Sequence, residues 1–107
     1  MKVKVIKFSH DSDPMVVELE PTLEAMQALV GGYIEIVPLR SDGLELCCNE
    51  EGKFKDLPPT VDIFGGQDTV VGDCALMRHD DEGEMVSVTA EDIAEFVGRG
   101  RIREIEC

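Results

Sequence analysis

Apolar and polar residues begin to alternate within the first few positions of the chain. Val3 and Val5 share a face over residues 2–8, and Ile6 breaks the alternation. That pattern predicts a strand that is either central or bulged. Residues 10–14 read as a polar turn. Residues 15–20 read as a second strand, with Val17 and Leu19 opposite Val16, Glu18 and Glu20. The connection is short, so the two strands are expected to pair antiparallel.

The clearest unit covers residues 23–53. Pro21 and Thr22 open a helix, where Thr22 can cap the free amides and Glu24 suits the positive end of the helix dipole. Leu23, Met26 and Val30 fall at i, i+3 and i+7, one apolar stripe. Gly31-Gly32 stops the helix, because glycine takes the left-handed cap conformation without steric cost. Residues 33–39 then read as a strand, with Ile34 and Ile36 on one face and Tyr33, Glu35 and Val37 on the other. Asp42-Gly43 predicts a type I′ hairpin turn. Residues 44–49 return with Leu44, Leu46 and Cys48 on one face.

Residues 50–66 have the weakest pattern. Pro58-Pro59 and Gly65-Gly66 predict loop or edge material, packed onto the core by the apolar residues of 61–64. Residues 69–79 predict a strand around Gly72, residues 80–83 a turn, and residues 84–88 its partner strand. Thr89-Ala90-Glu91-Asp92 is a capping box with Asp in place of the usual Glu or Gln, and Val88 and Ile93 have the spacing of a hydrophobic staple. Ile93, Phe96 and Val97 predict the buried stripe of a second helix, ended by Gly98 or Gly100. Residues 101–107 read as a short tail, either strand or turn. The order predicts a single α+β domain over residues 1–107. Its sheet is antiparallel-dominated and built from hairpins, with two short helices packed on it.

Composition sharpens this picture. Apolar residues make up 43% of the 107, with four Phe, one Tyr and no Trp, so the core is expected to be aliphatic. No apolar run approaches the roughly 20 residues that span a bilayer. The first residues lack the apolar stretch and small-residue cleavage site of a signal peptide. The expected location is the cytoplasm, with no membrane contact. The four cysteines show no C-x-x-C spacing, and Cys47 and Cys48 are neighbours on a strand and point to opposite faces. They are read as reduced, mostly buried thiols, with neither a metal site nor a cofactor expected.

The net charge is −13, from 23 acidic and 10 basic residues. Such a field repels phosphate, so direct nucleic-acid binding is not expected. Three explanations fit the charge: solubility, adaptation to high salt, or an acidic surface that mimics nucleic acid in a protein's binding groove. No G-x-S-x-G, P-loop or H-E-x-x-H motif occurs. Ser9-His10-Asp11 names catalytic residue types, but a polar turn accounts for them. The acidic residues of 80–84 lack the ligand spacing of a calcium loop and read as a solvated turn. Arg99, Arg101 and Arg103 form a basic cluster that could receive a phosphate, or simply a solvated tail where a helix C-terminus favours arginine.

Several blocks carry a resemblance. They are Gly31-Gly32-Tyr33-Ile34-Glu35, Cys48-Asn49-Glu50-Glu51-Gly52-Lys53, Leu57-Pro58-Pro59, Asp68-Thr69-Val70-Val71-Gly72, the run over 81–89, and Glu91-Asp92-Ile93. Together they resemble the small proteins grouped as domain of unknown function 3846, encoded largely by bacteriophages and mobile elements. One departure stands out: Thr60-Val61 follows the double proline, where the family pattern often has Asn-Arg. The family brings no catalytic residues. The resemblance implies a non-enzymatic accessory protein, expected to counter host defence by binding a host protein through its acidic surface, in the host cell's cytoplasm. An alternative is an oligomeric sponge for a small signalling nucleotide, held by Arg99, Arg101, Arg103, Gly65, Gly66 and Asp68. A third reading is an uncharacterised enzyme.

Overall fold

The computed structural model describes residues 1–52, 54–63, 67–97 and 104–105. Its larger sheet has six strands. These are β1 (Val3–Ser9), β2 (Ser12–Leu19), β3 (Ile34–Pro38), β4 (Leu44–Asn49), β7 (Cys74–His79) and β8 (Met85–Val86). They run in the order β2-β1-β7-β4-β3, with β8 also on β7, and every pairing is antiparallel. A smaller sheet orders β6-β5-β9, from β5 (Pro59–Ile63), β6 (Asp68–Val71) and β9 (Glu104–Ile105). Helix α1 (Leu23–Val30) and helix α2 (Ala90–Phe96) complete the α+β fold.

Two cores sandwich the large sheet. On one face, Val3, Val5, Cys47, Ala75 and Met77 meet Val30, Met26 and Leu29 of α1. On the other, Ile6, Phe8, Leu44, Leu46, Cys48 and Leu76 meet Val61, Ile63 and Val70 of the small sheet and Phe96 of α2. The two helices therefore lie on opposite faces. Ile6 breaks the alternation because β1 is covered on both faces. The strand is also irregular: Lys7 pairs with Met15 and Ser9 with Ser12, so β2 carries an extra residue there. Residues 12–14, expected in a turn, are thus already strand. Pro14 is tolerated because β2 is an edge of the sheet.

The first helix is capped as its sequence dictates. The Thr22 hydroxyl accepts from the Ala25 amide, and the Gly31 and Gly32 amides both donate to the Gln27 carbonyl. Its core-facing stripe is buried Val30 with half-buried Met26 and Leu29, whereas Leu23 is exposed. The buried Asn49 side chain ties this helix to β4. Its Nδ2 donates to the Val30 carbonyl (3.1 Å), and its Oδ1 accepts from the Glu51 amide (2.8 Å).

Three local expectations are corrected. The hairpin turn is not type I′, since Gly43 alone has positive φ and Asp42 does not. Gly43 N–H donates to the Arg40 carbonyl, and the amides of Leu39 and Arg40 both donate to the Leu44 carbonyl, a longer loop closed by a left-handed glycine. Residues 69–79 are two strands in different sheets rather than one, because Gly72 at φ +78 turns the chain between β6 and β7. The proline-rich segment contains the middle strand of the small sheet. Pro59 opens β5, where its missing amide costs little, and Thr60, Val61 and Ile63 are buried.

Helix α2 is held by an ion pair whose carboxylate is buried. The Asp92 side chain is 4% exposed and completes the capping box with Thr89. It also accepts from Arg78 on β7, Nε to Oδ2 at 2.5 Å and Nη2 to Oδ1 at 2.8 Å. Arg78 reaches the Asp42 carbonyl as well (3.2 Å). Arg40 pairs with Glu95 (2.9 Å) and lies over the Phe96 ring. Burial alone would raise the Asp92 pKa, but the Arg78 guanidinium and the Thr89 amide outweigh it and hold the carboxyl below its usual range.

Removing this carboxylate leaves the largely covered Arg78 guanidinium without its main partner. Asp92→Ala is expected to cost about 3 kcal/mol in urea unfolding. Because the folded pKa is depressed, the pair's contribution is complete above the unfolded carboxyl value, about 3.9. It is lost as pH falls through the lower folded value, so the gap between wild type and variant should narrow in acid. Gly43→Ala is expected to cost more than about 1 kcal/mol by the same assay. Its Cβ would lie 2.3 Å from the His79 carbonyl oxygen, in a backbone conformation at φ +100.

Candidate binding site

Strand β3 is the last strand of the large sheet, and β6 is an edge of the small one. A cleft of about 340 Å³ opens between them. Buried Cys48 and Val70 form its floor together with half-buried Val37. Glu35, Glu50 and Asp68 stand exposed around it, and Phe54 projects beside it at 92% exposure. Three acids and no lysine, arginine or histidine line the cleft among the described residues.

Local structure sets each of these positions. Glu35 lies on the same side of β3 as Val37, the side that otherwise faces the core, and only an edge position leaves it in water. The Cys48 thiol donates to the Glu35 carbonyl (3.6 Å). The Glu50 amide donates to the Tyr33 carbonyl (2.9 Å), which extends the hairpin to the cleft's end. Asp68 Oδ1 accepts from the Thr69 amide (2.9 Å), and the Thr69 hydroxyl donates to Asp62 (2.7 Å).

Of the residues assigned to a nucleotide sponge, Asp68 is in this cleft. Gly65, Gly66, Arg99, Arg101 and Arg103 lie outside the described residues. Ser9, His10 and Asp11 sit where β1 turns into β2, with His10 and Asp11 exposed. Asp80 organises its own turn: its Oδ1 accepts from the amides of Glu82 and Glu84 (both 2.9 Å). No group of three or more His, Cys, Asp or Glu that could hold a metal occurs among the described residues. No helix among them is long and apolar enough to cross a membrane.

The family model Domain of unknown function (DUF3846) matches residues 1–100. The chain belongs to the DUF3846 family. No curated protein and no solved structure matches it. The match spans the whole hairpin, the cleft and α2, so the cleft is made from DUF3846 sequence throughout.

Sequence reasoning placed Glu35 and Cys48 on their strands but did not join them to residues 68–71. One signal was available. A glutamate between Tyr33 and Val37 on a face that should be buried marks an edge strand. The pairing of distant segments that makes the cleft has no local signature.

The thiols near the site are insulated. Burial first, then the neighbouring Cys48 and the Glu45 carboxylate, push the Cys47 thiol up to about 12. Burial also raises the Cys74 thiol well above its usual range. In a Cys107→Ser background, Cys47 and Cys74 should therefore resist alkylation at pH 8 until the protein is unfolded. Mass spectrometry of alkylated peptides checks this, and modification of the native fold at either residue would contradict it.

Proposed function

We propose that this DUF3846 protein is a non-enzymatic accessory protein of a phage or mobile element. On this reading it binds a host protein through its acidic surface in the host cytoplasm and so counters host defence. The observation that carries the proposal is the cleft between the two sheet edges. Its described charged residues are all acidic, on a chain of net charge −13. Field lines from like charges reinforce one another in a concave site, so a basic protein surface is drawn to it and phosphate is repelled. A protein groove built for nucleic acid is one such surface. The phage or mobile-element setting comes from the resemblance to the family.

The sponge reading draws less support. Its described residue, Asp68, adds a carboxylate beside Glu35 and Glu50, where a nucleotide phosphate would need a cation.

The test is affinity capture from host-cell lysate with identification of the captured protein. Capture is expected at about 0.1 M salt, where the Debye length is about 10 Å, and is expected to fail near 1 M. The double charge reversal Glu35→Lys, Glu50→Lys should abolish it at about 0.1 M salt as well. Capture unaffected by both salt and charge reversal would sink the acidic-surface reading.

A further inference from the structure

The free edge of β3 supplies a mode of binding that rests on the acidic-surface reading and deepens it. The Leu39 amide donates to the Leu44 carbonyl, and the Glu50 amide donates to the Tyr33 carbonyl. In an antiparallel ladder these bonds occur at every second residue. Tyr33, Glu35, Val37 and Leu39 therefore turn their backbone groups toward β4. Ile34 and Ile36 turn theirs the other way, away from the sheet, as Pro38 does with its carbonyl. β3 ends the sheet, so among the described residues none of these outward groups meets another strand. An edge of this kind is a template for one more strand.

We propose that β3 takes up an extended basic segment of a partner protein as an added strand, with alternate side chains entering the cleft beside Glu35 and Val37. Strand alternation assigns the two sides. Residues of the segment facing the cleft meet the Glu35 carboxylate and the apolar floor of Val37 and Cys48. Those on the opposite side meet Ile36, itself 37% exposed. The segment thus carries Lys or Arg on its cleft side and apolar residues on the other. Charge selects this occupant over a second copy of the chain. Edge-to-edge pairing of two copies would bring two Glu35 strands together on molecules of net charge −13 each. Pro38 has no amide, so the added strand is confined to the stretch before it.

The probe is a short peptide alternating Lys and Val, with a Glu-Val peptide as control, at physiological salt. Amide hydrogen exchange on the unaltered full chain is read residue by residue. The Ile34 and Ile36 amides are expected to slow by about tenfold or more with the Lys-Val peptide and to stay unchanged with the Glu-Val peptide. Ile36→Pro removes an outward amide without touching the β3–β4 ladder, and edge strands tolerate proline. It should weaken peptide binding about tenfold, which is about 1.4 kcal/mol. Unchanged exchange at Ile34 and Ile36 under saturating peptide overturns the proposal. So does full-strength binding by a folded Ile36→Pro variant. Should that variant fail to fold, the exchange result on the unaltered chain decides alone. Host-protein capture that survives Ile36→Pro but is lost on charge reversal removes strand addition and leaves the acidic-surface reading standing. Capture that survives both removes the two together.

Discussion

Strand β7 is the middle strand of the large sheet and is covered on both faces. Cys74, Ala75, Leu76 and Met77 are all buried, with Cys74 and Leu76 in one core and Ala75 and Met77 in the other. It pairs with β1, β4 and β8. A strand covered on both faces tolerates no register slip, since moving it by one residue would exchange the contents of the two cores. The side chains at its ends then follow. Arg78 is carried to the one place where it can reach both Asp92 and Asp42.

The ion pair illustrates how position rather than strength matters here. A buried pair adds little net stability compared with apolar residues of the same shape, because removing two charges from water costs several kcal/mol. Its consequence is orientation. Asp92 satisfies the amide of the N-cap Thr89 and the Arg78 guanidinium with the same carboxylate, so the helix can start only where that carboxylate meets the sheet. Phe96 and Val97 are then aimed at the core from a fixed entry point.

Much of this was legible in the sequence. Caps, stops and alternation are local, and the Thr22 and Thr89 caps, the Gly31 stop and the two faces of β3 and β4 are where their residues place them. The α+β class followed from the hairpins. What was not legible depended on contacts between distant segments. Gly72 reads as a weak point in one strand, yet its backbone moves the chain from one sheet to another, because its amide donates to the Pro58 carbonyl and its carbonyl accepts from Thr60. The double proline reads as a strand breaker, but proline at the first position of β5 breaks nothing. The cleft falls in the same class. Its walls come from two sheets, and each half alone looks like an ordinary edge.

The pairing of β1 with β7 also sets the order of events in assembly. Both hairpins at the front of the chain can form from neighbouring residues soon after they are made. The sheet that joins them cannot, because its middle member is synthesised long after its first. Until then β1 displays Val3 and Val5 on one side and Ile6 and Phe8 on the other, with no strand at its inner edge. Contacts of high sequence separation are slow to close, and an exposed apolar edge is prone to intermolecular pairing. A nascent chain of this protein is therefore most vulnerable in the interval between the appearance of its second hairpin and the arrival of Cys74–His79.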